Sequence, residues 1–487
     1  MFVCAFKVFW ESHQRCKAHF VSLQRWWDYG KVQIRQLCQE YTHGVTRDRA
    51  QLVKELETTV VELQRLAVST GERGCLQSLK VQKSALASLL GTSAQGALVR
   101  SRHMDLTQMD VPSQFFFSLE VKNGQKRIIQ SLRSDSGRLI TDSAEVSDED
   151  NKKLEAPVTL ADLGSAVGSL KPGRAPGIDG LLADFYKAFW DVLGPDLLEV
   201  FTDSLESGRL PLSCRRAVLT LLPKKGDLQL LKNWRPVSLL CMDYKILSKV
   251  LASRLRGVMA SVIHVDQTYC VPSRLIGDNI TLIRDVSDVS GSLGINLGLI
   301  SIDQEKAFDR VEHQYLWQTM TAFGFSPGFI AHIRTLYCDV MSVLKVNGGL
   351  SAPFSVGRGI RQGCSLSGML YSLSIEPLLH RLRADLQGVL LPGARPFKVS
   401  AYADDLIVFV NSQRDVEVLA DTVQVFGQVS SSRVNWSKSS ATLLGEGLRG
   451  LSLPGGLQFG DLLCLLLCLL LCLLLCLLLC LLLCLLL

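Results

Sequence analysis

The sequence has no Cys-x-x-Cys pair, although it contains 15 cysteines. Six of these stand at every fourth position between Cys464 and Cys484, and the other nine are scattered along the chain. This spacing indicates neither a disulfide framework nor a zinc knuckle, so a reducing compartment is expected. The first ten residues, MFVCAFKVFW, also lack a charged lead, a long apolar run and a small-residue cleavage site. We therefore predict no signal peptide and a location in the cytoplasm, the nucleus or both.

Charge and hydropathy are close to balanced outside the last 26 residues. The 487-residue chain carries 52 Lys and Arg against 46 Asp and Glu, a formal charge of +6, and 47% of it is hydrophobic. Residues 462–487 contain only Leu and Cys and supply most of the positive mean hydropathy. Without them the composition is that of an ordinary soluble protein, which excludes a polytopic membrane protein, a fibrous rod and a mainly disordered chain. The length predicts about three domains.

The Leu/Cys tail, residues 462–487, has two interpretations. Its 26 apolar residues exceed the roughly 20 that span a bilayer, which favours a membrane-tethered protein. The strict Leu-Leu-Leu-Cys repeat without flanking aromatic or basic residues instead favours a translated simple repeat, which is the interpretation we prefer. In that case we expect aggregation or accidental membrane insertion through the tail.

Residues 1–150 have the pattern of helices. Apolar side chains recur at helical spacing between residues 46 and 69, which predicts a helix there. Farther on, Phe115, Phe116 and Phe117 precede a stretch rich in Lys and Arg. Aromatic and basic side chains in that order suit single-stranded nucleic acid, although a buried aromatic cluster beside a solvated basic face accounts for them equally well.

Positive charge is concentrated between Arg209 and Arg256, where carboxylates are few. Such a strip favours partners that carry phosphate, with binding that weakens as the salt concentration rises. After it, short strand-like runs alternate irregularly with helices as far as about Leu444. This order predicts an α+β fold rather than a regular β-α-β wind.

Three aspartates stand where strands are predicted to end. The apolar run Leu297–Ile302 is followed by Asp303, and two strand-like runs flank Asp404 and Asp405. If these strand ends lie side by side, the carboxylates repel one another unless cations lie between them. Oxygen ligands without His or Cys select Mg²⁺ or Mn²⁺, and two such ions about 4 Å apart catalyse in-line displacement at a phosphate. An Asp-Asp pair alone, however, is usually only a turn.

Six motifs surround these aspartates in the chain. They are APGIDGLLADFYKAFW (175–190), LLPKKGD with LKNWRPVSLLCMDYKILSKVLASRL (221–255), SIDQEKAFDRVEH (301–313), RGIRQGCSLSGMLYSLSIEPL (358–378), YADDL (402–406) and GQVSSSRVNWSKS (427–439). In order and spacing they resemble the reverse transcriptases of non-LTR retrotransposons of the long-interspersed-element type. The resemblance covers about Phe115 to about Leu444, and the helical part before it is similar to the connector of these elements. It implies a right-hand polymerase, with fingers and palm, that copies RNA into DNA.

The resemblance also implies how the chain is divided. The predicted segments are a helical connector or N-terminal extension (1–150), fingers (151–296), palm (297–445), a linker (446–461) and the Leu/Cys tail (462–487). Because the match fades before the primer-gripping hairpin, we expect the thumb to be largely missing from this truncated polymerase. Since the primer end must be held to within about an ångström, a reduced rate follows.

Metal ligands are assigned by the same resemblance. Asp303 matches the first metal ligand, and the main-chain carbonyl of Gln304 is a further candidate. Asp404 matches the second metal ligand, with Asp405 as its partner in the turn. Two ions, Mg²⁺ or Mn²⁺, are the expected cofactors.

Contacts with the nucleotide are implied in the same way. Phe308 matches the ring that blocks a ribose 2′-hydroxyl, so that a ribonucleotide clashes where a deoxynucleotide fits. Lys225 and Arg235 match residues that grip the triphosphate. Gln362 and Gly363 match the segment against which the incoming nucleotide and the template base lie. Lys438 matches a general acid that protonates pyrophosphate, with an ordinary surface lysine as the alternative.

One motif departs from the family. Where the family usually has Gln-Gly-Cys-Pro-Leu-Ser-Pro, this chain has Ser365 and Gly368 in place of the two prolines. Their loss removes two fixed φ angles, so we expect a looser loop. The function predicted is RNA-directed DNA synthesis from an RNA template, a DNA primer and deoxynucleoside triphosphates, with no obligate protein partner. The alternative is a catalytically inactive relic that binds nucleic acid.

Overall fold

A computed structural model describes residues 2–70, 73–101, 145–223, 227, 229–230, 233–347, 349–445, 447–448 and 450–460. Lys225, the Phe115–Phe117 stretch and the Leu/Cys tail lie outside these residues, so the predictions made for them stay predictions. The chain forms two compact units. One comprises Met1–Phe2 and Gln36–Asp142, and the other comprises Val3–Arg35 and Ser143–Leu487.

Helices account for most of the regular structure. In chain order the α-helices are α1 (Phe2–Arg15), α2 (Leu23–Thr70), α3 (Arg73–Ser101), α4 (Asp148–Glu155), α5 (Leu160–Gly168), α6 (Ala183–Ala188), α7 (Trp190–Ser207), α8 (Leu212–Arg215), α9 (Met242–Val262), α10 (Ile276–Leu293), α11 (Ala307–Arg310), α12 (His313–Ala322), α13 (Pro327–Tyr337), α14 (Ser367–Asp385) and α15 (Gln413–Ser430). Short 3₁₀ turns lie at Lys17–His19 and Pro454–Gly456. Since α2 contains residues 46–69, the helix predicted there is confirmed.

The strands form two sheets, both in the larger unit. The strands are β1 (Arg216–Pro223), β2 (Trp234–Leu239), β3 (Leu297–Ile302), β4 (Met341–Val346), β5 (Gly349–Leu350), β6 (Phe354–Ser355), β7 (Val399–Tyr402), β8 (Asp405–Val410), β9 (Ser440–Leu444) and β10 (Phe459–Gly460). One sheet has the order β2-β1-β4-β5, with β6 also on β4, and the other has the order β10-β9-β3-β8-β7. Antiparallel pairs predominate beside separate helices, which confirms the predicted α+β class.

The β3 strand is the centre of the second sheet because it pairs with β8 on one side and β9 on the other. Its residues Leu299 and Ile300 are fully buried, as is Phe409 of β8, so this sheet is covered on both faces. Gly298 is required at one crossing point, because a Cβ there would lie 2.6 Å from Cγ2 of Val410. The apolar run read from the sequence and the strand in the structure have the same bounds.

In the larger unit, the segment Val3–Arg35 packs against the helices that follow residue 143. Its tryptophans are buried, and the Trp10 indole donates to Asp196 at 2.9 Å. Lys31 is only 2% exposed and pairs with Asp179 at 3.0 Å and with Asp243 at 2.6 Å. Because a buried charge needs a partner, these ion pairs fix the N-terminal segment to helix α9 and the loop before α6.

Within the described residues, no helix is both long enough and apolar enough to cross a membrane. The Leu/Cys tail, for which membrane insertion was one expectation, was not among the residues searched.

Replacing Lys31 by Met tests this attachment. The variant leaves two buried carboxylates without their cation, so we expect the free energy of unfolding to fall by about 3–5 kcal/mol. Urea unfolding followed by tryptophan fluorescence measures the change. The control is Lys7→Met, which breaks an exposed pair with Asp191 of similar length, 2.9 Å, and is expected to leave the free energy of unfolding nearly unchanged because solvent screens the pair. Equal shifts in the two variants would contradict the assignment.

Candidate active site

The three predicted aspartates meet at one end of the β3–β8–β7 sheet. In the antiparallel β3–β8 pair Ile302 lies opposite Leu406, so Asp303, one residue farther, lies opposite Asp405. In the β7–β8 hairpin Tyr402 pairs with Asp405, which leaves only Ala403 and Asp404 in the loop. The sequence predicts that the first strand ends at Ala403 and the second begins at Leu406. In the structure each boundary is one residue earlier, because β7 ends at Tyr402 and β8 begins at Asp405. The spatial arrangement on which the metal prediction depends is present.

The electrostatics of this cluster show that the carboxylates are close together. Burial raises the pKa of Asp404, and the charge of Asp303 adds to the rise, against its own backbone hydrogen bond and the charge of Arg235. The pKa of Asp405 is raised to about 7. The largest cause is the loss of water around the carboxyl, followed by the charges of Asp404 and Asp303, although part of the side chain still reaches solvent. Mutual repulsion of this kind is relieved by a bound cation, so the donor set fits a hard divalent ion.

A loop between α15 and β9 supports Asp303 from the other side. The Asp303 N–H donates to Oγ of Ser439 at 3.2 Å, and its carbonyl accepts from the Asn435 N–H at 2.8 Å. Gln304 faces Val434 in an isolated antiparallel bridge. The Glu305 N–H also donates to the Arg433 carbonyl at 2.8 Å, so the loop bonds the residues on either side of Gln304. The role of the Gln304 carbonyl as a further ligand stays a prediction.

The side chain of Gln304, unlike its carbonyl, is not a candidate ligand, because it is buried and hydrogen-bonded. Its Oε1 accepts from the Ser432 hydroxyl at 2.9 Å and from the Tyr371 hydroxyl at 3.3 Å. Lys438 lies on the same loop, with an exposed side chain and a backbone N–H that donates to Asn435. Lys438 thus directly precedes Ser439, which bonds the Asp303 N–H, and its acid role stays a prediction.

A cluster of aromatic rings lies beside the carboxylates. The half-buried Phe308 ring stacks on Tyr371 with centroids 4.3 Å apart and meets Tyr269 edge-on at 6.5 Å. Tyr269 in turn lies 5.1 Å from Tyr402, the residue before the turn. The charges of Asp404 and Asp405 contribute, after burial, to the raised pKa of Tyr371. Phe308 therefore lies in an aromatic group next to the acidic cluster, where the sequence predicts a steric gate.

Three of the predicted nucleotide contacts, Arg235, Gln362 and Gly363, lie among the described residues. Arg235 is on β2, and its charge acts on Asp404, so the two sheets bring this cation and the acidic cluster near each other. Gln362 donates from Nε2 to Oδ1 of Asp309 at 3.3 Å, and Gly363 has a φ of 97°, which favours glycine. A groove of about 250 Å³ lies between this loop and strands β1, β2 and β4.

The structure explains why a small residue, Gly368, stands at the second of the two substituted proline positions. A Cβ at Gly368 would lie 2.2 Å from Sγ of Cys270 and 3.1 Å from the Tyr269 ring. The residue 269–270 segment therefore fills the space that a larger side chain would need. This pairing could not be seen in the sequence, since the two segments are about a hundred residues apart.

A second acidic cluster, which sequence reasoning missed, lies away from the aspartate turn. Ligand atoms of Asp179, Cys241 and Asp243 are within 4.8 Å of one another. The Lys31 ammonium already bonds both carboxylates, and its charge is among the causes that keep the pKa of Asp243 low against burial. This cluster is thus an ion-pair network with lysine as its cation.

Comparisons with known proteins agree with the geometry. Residues 222–454 match the family described as "Reverse transcriptase (RNA-dependent DNA polymerase)". The chain is 42% identical over 471 residues to the "Transposon TX1 uncharacterized 149 kDa protein" of Xenopus laevis, which covers 90% of this chain and 36% of that protein. It is 28% identical over 293 residues, 60% of this chain and 27% of the relative, to the "Retrovirus-related Pol polyprotein from type-2 retrotransposable element R2DM" of Drosophila melanogaster.

A further relative is the "RNA-directed DNA polymerase from mobile element jockey" of Drosophila funebris, 25% identical over 58% of this chain and 31% of that protein. Among solved structures, apo telomerase from Candida tropicalis, truncated from its C-terminal domain, has a TM-score of 0.37 at 13% identity, covering 48% of this chain and 51% of that one. The chain spans about a third of the length of the relatives.

The crowding of carboxylates predicts a pH dependence of stability. The Asp405 carboxyl titrates near 7 in the folded protein and near about 4 when unfolded. Between these values the folded state binds more protons, so the contribution to stability present at low pH is lost as pH rises toward 7. We expect the melting temperature in EDTA to fall less between pH 4 and 8 in Asp405→Asn than in the wild type. The control is Asp421→Asn, an exposed carboxylate on α15. Identical slopes in all three proteins would contradict the expectation.

Proposed function

We propose that the chain is a reverse transcriptase of the non-LTR retrotransposon type and that it catalyses RNA-directed DNA synthesis, adding deoxynucleotides to a primer 3′-hydroxyl on an RNA template. The observation that carries this proposal is the meeting of Asp303, Asp404 and Asp405 at the end of adjacent strands. The part of the basic strip between Arg209 and Arg256 that reaches solvent, such as the exposed Arg256, supports a nucleic acid partner. Arg215 is buried and Arg254 pairs with Asp162, so these two have structural roles instead.

Two divalent ions, Mg²⁺ or Mn²⁺, are the proposed cofactors. Asp303, Asp404 and Asp405 would hold them, with the Gln304 carbonyl as a further donor. The ions would supply activation of the primer 3′-hydroxyl and stabilisation of the departing pyrophosphate. The residues fit divalent cations because their carboxylates repel one another and because every ligand atom is an oxygen, which hard cations prefer.

Other side chains would bind and orient the nucleotide. Arg235, whose charge acts on Asp404, would pair with the triphosphate, and Lys225 would share this contact. Gln362 and Gly363 would support the incoming nucleotide and the template base along the groove. Lys438 would donate a proton to pyrophosphate from the exposed loop beside Asp303.

Sugar selection would depend on Phe308. Its ring is held from beneath by Tyr371, so it does not move aside when a 2′-hydroxyl approaches. Exclusion by a fixed ring discriminates against ribonucleotides without any favourable contact to the deoxyribose.

Primer extension tests the metal ligands. Full-length protein with poly(rA)–oligo(dT), deoxythymidine triphosphate and Mn²⁺ should extend the primer. Asp404→Asn should reduce the rate by more than about 100-fold, because a direct ligand matters more than the outer partners whose loss costs 10–100-fold. Asp421→Asn is the matched control. Equal extension by wild type and Asp404→Asn would reject the metal assignment. Salt-dependent RNA binding without any extension by the wild type would instead support the inactive relic.

The ratio of ribonucleotide to deoxynucleotide incorporation tests the gate. Phe308→Ala opens the space beside the sugar, so we expect this ratio to rise about tenfold or more. Phe325→Ala is the control, since Phe325 is a buried ring stacked on Phe329 in front of α13, in elements other than those that carry the site. An unchanged ratio in Phe308→Ala would remove Phe308 from the role.

A further inference from the structure

The buried side chain of Gln267 reaches the turn that carries Asp404, although it comes from a segment more than a hundred residues earlier. The backbone around it runs beside the outer edge of β7. Ala401 donates its N–H to the carbonyl of Asp266 at 2.9 Å and accepts from the Thr268 N–H at 3.1 Å. Gln267 itself is fully buried. Its amide is therefore placed by main-chain pairing and is directed along the strand toward the turn.

The Gln267 amide contacts both polar groups of a single residue, Ala403. Its Oε1 accepts from the Ala403 N–H at 3.2 Å, and its Nε2 donates to the Ala403 carbonyl at 3.4 Å. The same Oε1 also accepts from the Tyr269 N–H at 2.9 Å. Because the N–H and the carbonyl belong to the two peptide planes on either side of the Ala403 Cα, holding both fixes the φ and ψ of this residue.

Ala403 needs such support because its backbone is strained. Its φ is 55°, in the left-handed region that favours glycine, and it is followed directly by Asp404. A two-residue hairpin loop with positive φ only at its first residue has the pattern of a type II′ turn, whose first position normally holds glycine. Without an external constraint, alanine at this position tends to return to an unstrained conformation, which would turn the Asp404 carboxylate away from Asp303.

We propose that Gln267 is a positioning residue of the polymerase site, holding the Ala403–Asp404 turn in the conformation that directs Asp404 toward Asp303. This inference rests on the proposed function. Glutamine supplies both the donor and the acceptor that these contacts use, whereas Met has no donor and Asn is one methylene shorter. The effect on metal binding passes through the Ala403 backbone, since no Gln267 atom is among the proposed ligands.

The test compares two buried amides of the same region in the full chain. Gln267→Met removes the contacts to the turn and keeps the side-chain length. Asn279→Leu is the control for loss of a buried amide that does not contact the turn. Asn279 bonds Ser400 Oγ at 2.8 Å and the Ala401 carbonyl at 3.1 Å in β7, and it also bonds the Asp266 carbonyl and the Thr268 hydroxyl beside Gln267. Mn²⁺ affinity is measured by electron paramagnetic resonance, stability by thermal melting, and single-nucleotide extension by kcat and by KM for the primer.

For Gln267→Met we expect Mn²⁺ affinity and kcat to fall by about 10–100-fold, as for other groups that orient metal ligands, with primer KM within twofold of wild type. For Asn279→Leu we expect a lower melting temperature with unchanged Mn²⁺ affinity. If Gln267→Met does not fold, Gln267→Asn is measured in the same way, and a weaker Mn²⁺ affinity is again expected. Mn²⁺ affinity within twofold of wild type in the Gln267 variant, or equal weakening in the Asn279 control, would overturn the proposal. A wild type that binds Mn²⁺ without extending a primer would contradict the proposed function alone, since the affinity comparison still decides the role of Gln267.

Discussion

The register between β3 and the β7–β8 hairpin is the constraint on which the site depends. It places Ile302 opposite Leu406, so that Asp303 and the hairpin turn end at the same level of the sheet. A slip of one residue would turn every side chain of β3 to the other face and separate the carboxylates. Gly298 opposes this slip, because it lies opposite Val410, where a Cβ at position 298 would be only 2.6 Å from Cγ2 of Val410. The apolar sheet thus enforces an arrangement of charges that electrostatic repulsion alone would disperse.

Support for this arrangement comes from segments far away in the chain. Gln304, Tyr371 and Ser432 form one hydrogen-bonded group beneath the first aspartate, and Gln267 holds the turn of the second. Farther out, Lys31 fixes the N-terminal segment to α9. The larger compact unit therefore includes Val3–Arg35, although the reverse transcriptase family match begins only at residue 222. Residues Val3–Arg35, which include most of α1 and the first part of α2, thus belong to the unit that carries the site.

Local patterns were enough to predict the strands that carry the three aspartates. The bounds of β3, the strand ends at Asp303 and Asp404, and the α+β class all follow from apolar runs and a two-residue turn, which are properties of short stretches of sequence. The order of six motifs then related these residues to a family. Roles that depend on a bound nucleotide, such as those of Lys438 and Phe308, stay predictions.

Long-range contacts could not be predicted in this way. Gln267 and Ala403 are 136 residues apart, and Lys31 and Asp243 are 212 apart, and neither pair leaves a periodic signal. A lone buried amide and a lone lysine also have ordinary sequence surroundings. Their importance is visible only when the hydrogen-bond partners are known, because it comes from burial and geometry rather than from residue type. The same holds for Gly368, whose missing side chain makes room for Cys270.

Localised backbone cleavage tests most directly whether divalent ions bind between the aspartates. When hydrogen peroxide and ascorbate are added, Fe²⁺ bound in place of Mg²⁺ reduces the peroxide to hydroxide and a hydroxyl radical, and ascorbate returns the Fe³⁺ to Fe²⁺. The radical cuts the nearest peptide bonds, and mass spectrometry identifies the cut sites. We expect cuts next to Asp303 and next to the Asp404–Asp405 turn, both suppressed by excess Mg²⁺. Cuts confined to the neighbourhood of Asp179 and Asp243, or none near residues 303 and 404, would contradict the account.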